Sequence, residues 1–173
     1  MPDLKFTPFP MLLTERLVLR QAVAADAPDL FAIRSDEEVN RYLDRTPATS
    51  VAEVQDFIEK INRSIAENKS MYWVADWNGR LAGTICLWNF SSQPFKAEVG
   101  FELHPNYQGK GLMQEALSAV LNFGFEGFSL ETIEGYVHIQ NAPSIRLLEK
   151  NGFQKIETRE AEAAVIYARN RII

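Results

Sequence analysis

The chain has 173 residues but only one cysteine, Cys86, and two histidines. A lone cysteine cannot close an internal disulfide, so cross-linked stabilisation is excluded and a reducing compartment, the cytoplasm, is the expected address. No H-x-x-x-H, C-x-x-C or carboxylate cluster occurs, so the spacing a metal centre needs is missing and no metal is expected. No run of about 18 apolar residues exists, so no membrane-spanning helix is expected. The opening MPDLKFTPFPMLL is broken by prolines and lacks a basic start, unlike a secretion signal. Basic charge is also short: 18 Lys and Arg against 23 Asp and Glu give a net charge of -5. A nucleic-acid partner, which calls for a clustered basic face, is therefore not expected.

What is present is a core. Hydrophobic residues make up 46% of the chain, enough for one domain spanning 1–173. Cys86 lies inside the apolar run TICLW and is expected to be buried. A first strand is expected near 17–19. Helical spacing at Leu30, Phe31 and Ile33, then at Val39, Tyr42 and Leu43, is interrupted at Ser35-Asp36 and predicts two short helices. Ser50-Val51-Ala52-Glu53 reads as a capping box opening a helix over 51–67. Asn78-Gly79, between the β-rich runs of 71–88, predicts a tight hairpin because both residues tolerate positive φ. A strand over 97–103, a helix over 112–125 and a strand over 132–138 form a crossover unit. A helix over 141–150 follows, stopped by Asn151-Gly152. Strands near 153–159 and 162–169 pair through Arg159-Glu160. The fold class is α/β (α+β): a mixed, mostly antiparallel sheet of about six or seven strands, with a parallel pair from the crossover and about four flanking helices.

The segment His104 to Gln114, HPNYQGKGLMQ, joins a strand to a helix. A helix start has unpaired N–H groups and partial positive charge, so it favours an anion. Gly109 and Gly111 remove side chains that would obstruct one, and Lys110 adds charge. A tight turn in which glycine only relieves strain explains the same residues, and the spacing leaves both readings open. A P-loop is excluded because the lysine falls between the glycines with no Ser or Thr after Gly111. A dinucleotide fingerprint is excluded because Gln114 occupies its sixth position.

Gln108-Gly109-Lys110-Gly111-Leu112-Met113 resembles the Q/R-x-x-G-x-G/A signature of the GNAT superfamily of acetyl-CoA-dependent N-acetyltransferases. GFELHPNYQGKG is similar to the strand and pyrophosphate loop of that family, and NAPSIRLLEKNGF to its second conserved motif. TERLVLRQAVAADAPDLFAI is similar to the start of the branch containing the ribosomal-protein N-alpha-acetyltransferases. The likeness runs over about residues 12–158. It implies acetyl-CoA as cosubstrate and direct transfer of acetyl to a primary amine, either a protein N-terminus or a small molecule, by a monomer or homodimer. A non-catalytic acyl-CoA-binding module of the same fold is the alternative. One departure concerns Met113, where the signature has Gly or Ala: an inward-pointing side chain would weaken cofactor binding.

The resemblance also implies residue roles. Phe101, Glu102 and Leu103 flank the pantetheine arm in a gap between splayed strands, with the Leu103 N–H stabilising the oxyanion. The amides of Gln108 to Met113 hold the pyrophosphate. Asn141 contacts the pantetheine, and is also a good N-cap. Where many members carry a tyrosine as general acid, this chain has Leu148, which leaves Ser144 as the candidate proton donor. Glu102 is the first choice for general base. Glu98, on the same face about 13 Å back at roughly 3.3 Å per residue, reads better as an ion-pair or surface group. His104 and His138 belong to the residue type that titrates near neutrality. Asn40, Arg41 and Tyr42 are expected in the acceptor wall, and Tyr42, Tyr72, Trp73, Trp77, Trp88 and Phe90 divide between core and acceptor cleft.

Overall fold

The structure is a computed structural model and describes residues 4–173, so the first three residues of the expected domain lie outside it. The chain forms β1 (Leu12–Leu13), β2 (Val18–Gln21), α1 (Ala27–Arg34), α2 (Glu37–Asn40), α3 (Val51–Ala66), β3 (Met71–Trp77), β4 (Arg80–Ser92) and β5 (Phe95–Leu103). It continues with α4 (Leu112–Asn122), β6 (Thr132–His138), α5 (Ala142–Lys150), β7 (Gln154–Arg159) and β8 (Ala164–Asn170). The sheet has eight strands in the order β1-β2-β3-β4-β5-β6-β8-β7. Every neighbouring pair is antiparallel except β5–β6.

The architecture is the expected mixed sheet, with one strand and one helix more than the upper expectations. β1 has two residues, too few to display the alternation by which a strand is read. The β4–β5 hairpin is longer than expected. β4 runs to Ser92 and β5 starts at Phe95, because pairing continues through Ser91–Lys96 and Ser92–Phe95 beyond the apolar stretch. At the other end of the chain, a 3-10 turn over Glu160–Glu162 delays β8 to Ala164.

Local chemistry explains most boundaries. At the β3–β4 turn Asn78 and Gly79 have φ of 54° and 82°, both in the left-handed region that a two-residue hairpin uses. The Ser50 hydroxyl accepts from the Glu53 N–H at 3.1 Å, as a cap should. The reciprocal half of the box is displaced by one residue: Glu53 accepts from the Thr49 N–H and hydroxyl at 3.0 and 2.9 Å instead of reaching the Ser50 N–H. Val54, Ile58 and Ile65 then bury one face of α3. Gly152, with φ of 82°, ends the α5 segment as expected.

Along β5, Phe95, Ala97 and Val99 are buried on one face, while Lys96, Glu98 and Glu102 share the other. This period of two determines which side chains meet the site. Gly83, opposite Leu103, has no room for a side chain, since a Cβ there would lie 2.4 Å from the Glu102 carbonyl oxygen. Trp73 is fully buried and Tyr72 nearly so, whereas Trp88 is 49% exposed and Phe90 half-buried. Cys86 keeps some surface, yet burial pushes its thiol up to about 12.

Candidate active site

The site begins where a ladder stops. β5 and β6 pair from Lys96–Thr132 to Val99–Gly135 and no further. β5 nevertheless continues to Leu103 and β6 to His138, so the two parallel strands leave a gap. The His104 N–H donates to the Ala82 carbonyl at 2.9 Å, and N–H groups alternate sides along a strand. The N–H groups of Phe101 and Leu103 therefore face away from β4, into the gap. The Leu103 carbonyl accepts from Gln108 Nε2 at 3.0 Å, which ties the following loop back to the strand.

At the end of that loop α4 starts without a side-chain cap, on Gly111 with φ of 77°. Its first helical bond is Glu115 N–H to the Gly111 carbonyl at 3.2 Å, leaving the Leu112, Met113 and Gln114 amides without helical partners. Gly109 has φ of 76°, and nothing lies within 4 Å of where its Cβ would sit. Open space, unpaired amides and Lys110 together suit a phosphate group. Met113 is 7% exposed and packs in the core. Its side chain thus turns away from the loop surface, and the departure from a small residue does not obstruct the amides.

Arg16 supports the loop from a distant part of the chain. Its Nη1 donates to the Lys110 carbonyl at 2.8 Å. In a planar trans peptide the C=O and the next N–H point opposite ways, so this contact aims the Gly111 N–H away from Arg16. Glu115 anchors the arginine, accepting from its backbone N–H at 3.1 Å and Nε at 3.3 Å, and from the Thr14 hydroxyl at 2.8 Å. Partial burial pushes the Glu115 carboxyl up, but the Thr14 and Arg16 donors bring it below the usual carboxylate range. Further along α4, Gln114 and Asn151 exchange two amide hydrogen bonds of 2.8 Å, holding the helix start against the end of α5.

On the other side of the gap, Asn141 caps α5 by accepting from the Ser144 N–H at 3.3 Å. The Ser144 hydroxyl makes no hydrogen bond among the described residues. Leu148 is fully buried, with its Cδ1 3.0 Å from where a Cβ on Gly135 would sit. The position that carries a tyrosine elsewhere is thus filled by core packing beneath β6.

The acceptor side is built from charged side chains. Glu102 accepts from Arg45 Nη2 at 2.7 Å and Nη1 at 3.3 Å, and from the Thr84 hydroxyl at 3.4 Å. Arg34 Nη1 stands 3.8 Å from the same carboxylate. Asn40, expected in the acceptor wall, is 8% exposed. Its amide nitrogen donates to the Arg34 and Asp36 carbonyls and its oxygen accepts from Arg45 Nε at 2.7 Å. Asn40 thus braces the two arginines. Arg41 is exposed, and Tyr42 stacks on His138 with ring centroids 5.0 Å apart. Residues 40–45 accordingly run from Glu102 on β5 to His138 on β6, across the gap. Glu98 is held by Asn89, and His104 Nδ1 accepts from the Asn106 N–H at 3.1 Å, serving the turn.

Arg16, Arg34, Arg45 and the Gln114–Asn151 pair were not readable as site residues. Their partners lie up to 99 positions away, and no local spacing marks them. Among the described residues no group of three His, Cys, Asp or Glu could hold a metal ion. No helix there is long and apolar enough to cross a membrane.

Comparison with known proteins places this arrangement. Residues 16–154 match the Acetyltransferase (GNAT) domain family model. The chain is 37% identical over 147 residues to the uncharacterized N-acetyltransferase p20 of Bacillus licheniformis, covering 83% of this chain and 82% of the relative. It is 26% identical over 135 residues to the spermidine N(1)-acetyltransferase of Escherichia coli (strain K12), covering 78% of this chain and 71% of the relative. The fold superimposes on Mycobacterium smegmatis RimJ in complex with CoA-disulfide, with a TM-score of 0.85 and 18% identity over 93% of this chain and 87% of that one. The loop, the open ladder and the length of the family match agree: the chain belongs to the GNAT family of acetyltransferases.

Proposed function

We propose that this acyltransferase moves acetyl from acetyl-CoA directly to the primary amine of a protein N-terminus or a small molecule, in the cytoplasm. The observation that carries this reading is the gap beyond Val99–Gly135, with free strand amides on one bank and an uncapped glycine-opened helix start beside it. The cosubstrate, when bound, supplies the acetyl group as a thioester. The amides from Gly109 to Met113 hold its pyrophosphate, since the Gln108 N–H is given to the Pro105 carbonyl at 3.2 Å, with Lys110 adding charge and Arg16 fixing the peptide that follows it. Phe101 and Leu103 line the pantetheine through their main chain, whereas the main chain of Glu102 faces β4 and only its side chain borders the gap. The Leu103 N–H supplies the donor at the acyl oxygen, an interaction whose loss typically costs about 3–4 kcal/mol in transition-state stability.

Asn141 orients the first turn of α5, and Ser144, whose hydroxyl has no protein partner, delivers a proton to the departing sulfur. Glu102 is the carboxylate nearest the gap. Arg45 and Thr84 donors take three of the roughly four lone-pair sites of this carboxylate, which leaves one on Oε2 for a further donor. Its proposed part in catalysis is therefore to receive and orient the acceptor amine and take its proton. Arg41 and Tyr42 form the outer wall, and Asn40 keeps that wall in place.

The test is incubation with acetyl-CoA and an amine panel of N-terminal peptides, amino acids and polyamines, following free thiol and product mass. Thiol release with an acetylated amine supports the reading. Tight CoA binding without turnover on any acceptor would favour the non-catalytic module.

A further inference from the structure

The acceptor bank holds charge and hydrogen-bonding capacity that the protein leaves unspent. Arg34, at the end of α1, lies flat on Phe57 of α3 with Cζ 3.7 Å from the ring centroid. Its side chain is only 18% exposed. At 3.8 Å from Glu102 it is too distant for a hydrogen bond, and it makes none with its side chain among the described residues. Two guanidiniums thus share one carboxylate, and one positive charge is left over. Burial, then repulsion from Arg45, holds the Arg34 guanidinium below its usual range, and a second anion would relieve that cost. Beneath the pair, the Tyr72 hydroxyl is buried with no hydrogen-bond partner, although Thr84 lies beside it.

Among the neighbouring carboxylates Glu53 acts on Arg34 only weakly, from the exposed side. Glu53 lies towards solvent and is bound by Thr49. Asp36 caps α2 through the Val39 N–H. Glu134 is paired with Lys96 at 2.8 Å, and Glu98 with Asn89. Arg41 on the crossing segment is exposed and stands 4.0 Å from Glu38.

We propose that the acceptor bears a carboxylate close to its amine, and that Arg34, with Arg45 beside it, holds that carboxylate while the amine enters the gap. The inference rests on the acetyl-transfer reading above. A single surplus charge suits a monoanion, and stacking on Phe57 fixes the plane in which the guanidinium fork meets a planar carboxylate. Glu102 borders the gap and stands beside both arginines, which suits an amine and carboxylate on one amino-acid skeleton. A polycation would meet Arg34 and Arg45 beside Glu102, whose charge they already take up, so the bank disfavours polyamines.

Acceptor pairs that differ only in the carboxylate beside the amine test this: L-alanine against L-alaninamide, and aspartyl against asparaginyl tripeptide amides, with spermidine as a third arm. Expected is a kcat/KM about tenfold higher for the carboxylate member, falling to near parity in Arg34→Gln with the KM for acetyl-CoA unchanged. Equal use of both members, preference for spermidine, or an undiminished ratio in Arg34→Gln would overturn the proposal. Calorimetric titration of the CoA-bound protein with glutarate provides a readout independent of turnover. Binding that is lost in Arg34→Gln and weakened a few-fold in Tyr72→Phe, with a melting temperature of Tyr72→Phe no lower than that of the parent to show that it folds, supports the site. Absence of glutarate binding, or stronger binding of inorganic phosphate, overturns it. Glutarate binding with no turnover on any acceptor would count against the acetyl-transfer reading while leaving the carboxylate site supported.

Discussion

The two banks of the gap are made of different material. The cofactor bank is main chain: amides at a helix start, strand N–H groups without partners, and glycines that leave room. The acceptor bank is side chain: Arg34, Arg45, Glu102, Thr84 and Tyr72 converge from one helix, the segment after α2 and three strands. Main-chain recognition serves any substrate that shares the cofactor, whereas the side-chain bank can be rebuilt without disturbing it. A family with one cosubstrate and many acceptors is expected to divide its site in this way.

The strongest challenge to that division is Gly111→Glu. It forces a side chain into a left-handed φ of 77°, with the new Cβ 3.4 Å from Arg16 Nη2, so the carboxylate draws Arg16 off the Lys110 carbonyl and CoA affinity should fall by well over about tenfold, read by calorimetry. Unchanged affinity would remove the loop from the cofactor bank. Next in size, Glu102→Gln leaves two arginines facing a neutral amide. Its side chain is 10% exposed, so folding stability should drop by about 3 kcal/mol in denaturant titration. Turnover should fall sharply while CoA affinity stays within about twofold; a matching loss of CoA affinity would mean that the banks are not independent.

How far the sequence reached follows the same line. Gly109, Gly111, the strand before them and the caps at Asn141 and Gly152 depend on spacing within a few residues, and each was legible. Met113 was ambiguous because helical phase alone did not say which side of α4 met the core. The role expected for Asn40 was displaced by Arg45, whose bond to Glu102 spans 57 positions. The capping box shifted to Thr49 because a glutamate can reach either of two adjacent N–H groups. Neither outcome is carried by local pattern.

Arg16→Met is a subtler probe of the cofactor bank, since it frees the Lys110–Gly111 peptide without touching the anion surface. CoA affinity should weaken about tenfold, roughly 1.4 kcal/mol, with the acceptor KM unchanged. The same network gives a pH dependence. Because the folded Glu115 carboxyl lies below its ordinary value of about 4.3, its contribution is complete above that value and is lost as pH falls through the lowered folded one. CoA binding should therefore weaken only on strong acidification, and a loss centred near neutrality would point to another group. The smallest effect expected is in the empty acceptor bank: Tyr72→Phe removes a buried hydroxyl without a partner and should raise stability by up to about 1 kcal/mol in thermal melts.

The abrupt end of the β5–β6 ladder has a further consequence for the protein as a thermodynamic object. Strand amides that lack a rung exchange their protons with water, and they stop only when something with carbonyl groups lies alongside. The pantetheine arm would thus complete the sheet as a temporary strand, and the protons of Phe101 and Leu103 would report its arrival. Until then this part of the sheet opens more readily than the rest, so cofactor occupancy and local rigidity rise and fall together.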